Sequence, residues 1–274
     1  MTLGRMIAAG WRALRAWWRV ALGIYLAELA VGLLVTLAVW RTFGALYGEH
    51  PLFDRGVGGD FVALLQSLKE HRGAVVALFW GGAGLVLGWA LLSFYLTPGL
   101  LGVFAGRAFG MAARRGFWAF VRLWVWALIP TAVAVAIAGM GAHMSGVTDP
   151  PFVDRWRTVA SLRGAIPGLL LFAAVACAVD YARADLVTRD STSAGRALLR
   201  GLRLTFTRVL PLVHYALYGL AVLALIAIYV VAGAPVAGVM LFIVRQIFLT
   251  ARFVVRTVTL GGQVELVTAG RGPQ

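Results

Sequence analysis

The chain has 274 residues, 61% of them hydrophobic and only 13% charged, with a mean hydropathy of +0.86. A soluble domain carries roughly a quarter charged residues, so this composition excludes a freely soluble fold and calls for lipid as the solvent. The net charge of +14 does not point to nucleic acid, because the basic residues, all arginine except Lys69, sit between apolar runs. Anionic lipid headgroups are the nearer partner there.

Arg5, Arg12, Arg15 and Arg19 precede the first apolar run, Val20 to Trp40. That order is also found in secretory signals, but this run is longer than a signal core and lacks a small-x-small cleavage site, so it is read as a retained span. A helical span needs about 20 mostly apolar residues. Gly73 to Leu96, Leu123 to Ala142, Ala165 to about Val187 and Val209 to Gly233 satisfy that requirement. A last run, Val236 to about Leu260, carries Arg245, Arg252 and Arg256, and each central arginine costs about 2.5 to 3.5 kcal/mol on insertion scales. The expected fold is all-α: one integral membrane domain over residues 1–274, with six transmembrane helices and amphipathic helices at the interfaces.

Lysine and arginine near helix ends set orientation. With the N-terminus inside, the cytoplasmic segments collect the four N-terminal arginines, then Arg107, Arg114, Arg115 and Arg122, then the series from Arg183 to Arg208, then Arg245, Arg252, Arg256 and Arg271. The outer loops hold fewer basic residues, nearly neutralised by acids. This asymmetry predicts six spans with both termini in the cytoplasm of a bacterium, in its inner membrane. Trp11, Trp17, Trp18, Trp118, Trp124 and Trp126 stand at predicted inner span ends, the headgroup level that tryptophan prefers.

Three stretches alternate arginine with bulky apolar residues before the odd-numbered spans: Gly10 to Arg19, Gly116 to Trp124, and Gly195 to Leu204. Each is expected as a helix lying in the inner interface. On the other side, Phe61, Leu64, Leu65 and Leu68 follow helical spacing, with a shorter echo in Trp156, Val159 and Leu162. The pattern suggests three repeated hairpins.

The segment Asp180-Tyr-Ala-Arg-Ala-Asp-Leu-Val187, followed by Ser193 to Arg203 and by the spaced arginines between Gln246 and Glu265, resembles a stretch in uncharacterised six-span bacterial membrane proteins. The resemblance covers roughly residues 180–265. It implies a six-span fold and carries no activity.

Chemistry is sparse. Cys177 is the single cysteine, and His50, His71, His143 and His214 are scattered without an H-E-x-x-H pair. Ser145 follows His143 outside any G-x-S-x-G elbow. No catalytic residue, metal ligand or cofactor is expected. Gly81, Gly82, Gly84 and Gly88 include a G-x-x-x-G spacing, read as close helix packing, and Pro98, Pro130, Pro167, Pro211 and Pro235 are placed near span ends.

Ionisable residues inside a bilayer are costly and usually face a partner. Counted at about 1.5 Å per residue, Glu28 and Arg245 fall near the midplane. Asp180, Arg183, Arg252 and His214 fall closer to the cytoplasmic side. These six form the candidate polar network. The expected function is a non-enzymatic inner-membrane protein that organises lipids or other membrane proteins through a basic cytoplasmic face, without nucleic acid. The alternative is a small transporter or channel using Glu28 and the Arg245/Arg252 stripe.

Overall fold

The computed structural model describes residues 2–47, 69–70, 72–147, 154–233 and 238–269, and all their regular structure is helical. In chain order the helices are α1 (Leu3–Ala16), α2 (Trp18–Tyr47), α3 (Arg72–Phe104), α4 (Phe109–Val147), α5 (Asp154–Arg189), α6 (Ala194–Thr207), α7 (Val209–Gly233) and α8 (Gly238–Ala269).

Four of them contain a segment long and apolar enough to cross a membrane: Trp80–Phe104, Phe109–Met144, Leu162–Arg189 and Val209–Val231. They correspond to the second to fifth expected spans. Leu3–Ala16 and Trp18–Leu34 pass together as a broken fifth. The break is local, since Trp17 leaves helical geometry at φ −122°, ψ 25°. α8 occupies the place of the expected sixth span and is not among these segments within the described residues.

Bulky apolar side chains stand outward along these helices, among them Val133, Val135 and Met140 on α4, Leu169 and Leu170 on α5, and Leu220 and Leu223 on α7. Soluble monomers rarely leave such continuous apolar surface in water. Along a spanning helix it is the surface that lipid covers, and the backbone groups are satisfied within each helix as a bilayer interior requires. The threonines of α8 follow the same rule: Thr250, Thr257, Thr259 and Thr268 each donate to the carbonyl four residues back at 2.7 to 2.9 Å.

The chain divides into two compact units, Met1–Ala21 with Phe94–Gln274, and Leu22–Ser93. In the first, helices approach at small residues. A Cβ on Gly141 would strike the Gly164 carbonyl and one on Gly168 would strike Ala138, which fixes α4 and α5 as an antiparallel pair in backbone contact. α1 crosses α8 the same way, with Gly10 against Val258 and Gly262 against the Met6 carbonyl. Gly201 seats α6 on Ala178 and Ala182 of α5. Gly81, Gly82, Gly84 and Gly88 have no atom of the described residues within reach of an added Cβ.

Several sequence expectations change. Of the three inner amphipathic stretches, Gly195 to Leu204 lies within the separate short helix α6, Gly10 to Arg19 runs from α1 across the break at Trp17 into α2, and Gly116 to Trp124 runs unbroken inside α4. The actual break lies earlier, where Gly106 takes φ +77° and Arg107 N–H bonds the Gly102 carbonyl at 2.8 Å. Trp156, Val159 and Leu162 likewise belong to the continuous α5. The stretch from Phe61 to Leu68 and Pro235 lie outside the described residues. Pro98, Pro130 and Pro167 sit inside helices rather than at their ends, which spanning helices tolerate because neighbouring groups re-satisfy the freed carbonyl. Pro211 is in the first turn of α7, where a missing N–H costs nothing.

Candidate functional site

The polar chemistry gathers where α5 ends, α6 begins and α8 passes. Asp180, Asp185 and Asp190 follow at five-residue intervals, and arginine answers each. Asp180 accepts from Arg183 Nη1 at 2.8 Å, one helical turn on. Asp185, 5% exposed, accepts from Arg189 Nε at 2.6 Å on its own helix and from Arg200 Nε of α6 at 2.8 Å. Asp190, in the left-handed region at φ 52°, caps α5 and takes Arg107 at 3.2 Å and Arg115 at 2.8 Å. Arg107 also donates to the Thr188 carbonyl at 3.3 Å. The ladder thus ties the α3–α4 turn, the start of α4 and α6 to the end of α5.

Beneath it lies a second, nearly uncharged network. Tyr181 Oη and His214 Nδ1 share a hydrogen bond at 3.1 Å between α5 and α7. Cys177 Sγ donates to the Pro211 carbonyl at 3.6 Å and accepts from Thr205 Oγ1 at 3.8 Å, joining α5, α6 and α7. All four side chains are buried.

A cavity of about 390 Å³ opens beside Asp180, between α4, α5, α7 and α8. Its polar lining is Asp180 and Arg183 from α5, Tyr215 and Tyr218 from α7, Arg256, Thr259 and Gln263 from α8, with Thr97 and Thr131. The apolar lining includes Trp124, Leu128, Phe172, Val175 and Leu260. Gln263 is 1% exposed, and neither its amide oxygen nor its amide nitrogen has a hydrogen-bond partner among the described residues.

The six residues of the expected polar network lie on α2, α5, α7 and α8. Asp180 takes Arg183 from its own helix, while Arg252 is exposed on α8 and the next arginine along, Arg256, reaches the cavity. His214 bonds Tyr181 rather than a charged group. Arg245 is exposed on α8, and Glu28 lies on α2 in the other compact unit. Gln263 and Asp190 were not singled out in the sequence, and Tyr181 and Asp185 only as members of the Asp180 to Val187 segment. The five-residue spacing of the aspartates was the one signal there that could have drawn attention to the ladder.

Around this core the same end of the first unit carries exposed arginine beside exposed apolar side chains. On α6 these are Arg196 and Arg203 with Leu199 and Phe206; at the start of α4, Arg114 and Arg122 with Met111 and Trp118; on α1, Arg12 and Arg15 with Ile7 and Trp11. No family model, curated protein or solved structure matches the chain.

Proposed function

We propose that the chain is a non-enzymatic, multi-pass protein of the bacterial inner membrane, with six spans and both termini cytoplasmic, whose arginine-rich face holds anionic lipid headgroups and so organises lipids or neighbouring membrane proteins. The observation that carries this reading is the outward mixture on α1, α4 and α6, where arginine and bulky apolar side chains are exposed together. Water alone would not favour Leu199, Phe206 and Trp118 at such exposure, and hydrocarbon alone would not favour Arg196, Arg203 and Arg114. The headgroup layer accommodates both. Each arginine near an anionic surface contributes about 1 kcal/mol at modest salt, so several together bias the lipids that surround the protein.

Extraction of the chain with its surrounding lipid into polymer-bounded discs gives the lipid composition directly. Anionic phospholipid is expected to be enriched over the parent membrane. The triple variant Arg114→Gln, Arg196→Gln, Arg203→Gln is expected to return the composition toward that of the membrane while folding normally. Equal enrichment in both proteins would remove the basis for the proposal.

A further inference from the structure

A hollow of about 140 Å³ lies between the end of α5, α6 and the end of α8. Its charged lining is Asp185 and Arg189 from α5, Arg200 from α6 and Arg208 from the junction of α6 with α7. Three guanidinium groups thus stand around one carboxylate, an excess of two positive charges. Glu265 of α8 is exposed and does not line the hollow. Leu204, Leu266 and Val267 supply its apolar wall.

Asp185 cannot neutralise this set. Its Oδ1 accepts from Arg189 Nε at 2.6 Å, and its Oδ2 accepts from Arg200 Nε and Nη2 at 2.8 and 2.6 Å. One carboxylate is therefore shared by two guanidinium groups. Arg208 is exposed and makes no side-chain hydrogen bond or ion pair among the described residues. Its backbone is nevertheless held, since its N–H bonds the Leu204 carbonyl at 3.2 Å. Planar guanidinium groups present paired N–H donors that match the oxygens of a phosphate. The volume is below the range of about 300 to 1,000 Å³ usual for whole small molecules, so the hollow accommodates a head group whose remainder lies outside.

The level of the hollow says what carries that group. The apolar segment of α5 ends at Arg189, and that of α7 starts at Val209, directly after Arg208. The hollow stands where hydrocarbon gives way to headgroups. Val209, Leu212 and Val213, at the start of α7, are 74%, 37% and 39% exposed and offer an acyl chain a track next to Arg208. An excess of two positive charges matches a phosphomonoester, whose charge is about −1.5 to −2 at pH 7, better than a singly charged phosphodiester.

We infer that this hollow binds the phosphomonoester head of a membrane lipid, with Arg189, Arg200 and Arg208 on its oxygens and its acyl chain along the start of α7. The inference deepens the lipid-holding reading above and rests on it: the rim attracts anionic lipids as a class, and the hollow selects one head group.

Native mass spectrometry of the intact chain in mild detergent, titrated with phosphatidic acid, phosphatidylglycerol or glycerol 3-phosphate, tests the inference. One phosphatidic acid per chain is expected to bind saturably, and more tightly than phosphatidylglycerol. Arg208→Gln removes no contact among the described residues and should fold as the native chain does. It should weaken the single site by about tenfold, equivalent to about 1.4 kcal/mol. Arg208→Lys keeps the charge but loses the planar fork and should fall between the two, while Arg208→Glu should abolish the site. The rim variant Arg114→Gln, Arg196→Gln, Arg203→Gln should retain the single phosphatidic acid and lose the weaker additional lipids.

Unchanged affinity in a folded Arg208→Gln protein, or phosphatidylglycerol bound as tightly as phosphatidic acid, would overturn the inference while leaving the rim reading intact. Competition by glycerol 3-phosphate as effective as the lipid itself would show a site for a soluble phosphate ester and overturn the lipid assignment. Failure of the native chain to retain anionic lipid of either kind would overturn both readings.

Discussion

Asp185 is the most enclosed carboxylate among the described residues, 5% exposed and held by two arginines on different helices. Removing one partner of a fully buried ion pair costs about 3 to 5 kcal/mol. Here Arg189 and Arg200 are 44% and 36% exposed and can turn to water, so Asp185→Ala is expected to cost about 1 to 2 kcal/mol. Thermal unfolding of the detergent-solubilised protein measures this. Asp190→Ala should cost less, because its own carboxylate is 43% exposed and its closer partner, Arg115, is 63% exposed. A larger loss for Asp190 than for Asp185 would contradict this ranking. The sequence exposed only part of the ladder. The Asp180–Arg183 pair can be read from a three-residue spacing on one helix, whereas Asp185 with Arg200 depends on α6 folding back along α5. Gln263 was invisible for a different reason: only a packed structure reveals that its amide has no partner among the described residues.

At the scale of elements, amphipathic periodicity located α6 correctly and α1 only in part, since Gly10 to Arg19 begins inside α1 and runs across its break into α2. Trp17 breaks the first, and the left-handed Asp190 followed by residues 191–193 isolates the third. The same periodicity misled at Gly116 to Trp124, because no turn follows Phe109 and a single glycine does not stop a helix that is otherwise favoured. What fixes the short helices in place is contact between small residues. Gly10 of α1 lies so close to Val258 of α8 that any side chain would displace one helix from the other. Gly10→Val is therefore expected to destabilise by about 1 to 3 kcal/mol, the usual cost of overpacking, and to loosen α1 first. Limited proteolysis after the N-terminal segment is the measurement, with faster cleavage expected in the variant. Gly4→Val, at a position with open space, is the control and should leave cleavage unchanged.

For the whole molecule, four expected spans coincide with helices of the right length and hydropathy, because unbroken apolar runs report a membrane without any tertiary knowledge. The ends of the molecule were less legible. α8 continues to Ala269, nine residues past the expected limit near Leu260, and its best-buried part, Thr257 to Val267, packs against α1. Its apolar pattern there serves protein contact, which hydropathy cannot distinguish from lipid contact. The lipid-binding proposal requires the arginine-rich end, with α1, α6 and the start of α4, to face the cytoplasm, where anionic lipid and the positive-inside bias coincide. Site-directed labelling in intact cells addresses that most directly. The native thiol of Cys177 is fully buried, and a Cys177→Ser background removes it altogether. In that background an impermeant maleimide is expected to label Gly58→Cys and Thr148→Cys from outside, and to label Ser193→Cys only after the cells are opened. Labelling of Ser193→Cys in intact cells would place the arginine-rich face on the wrong side of the membrane and contradict the proposal.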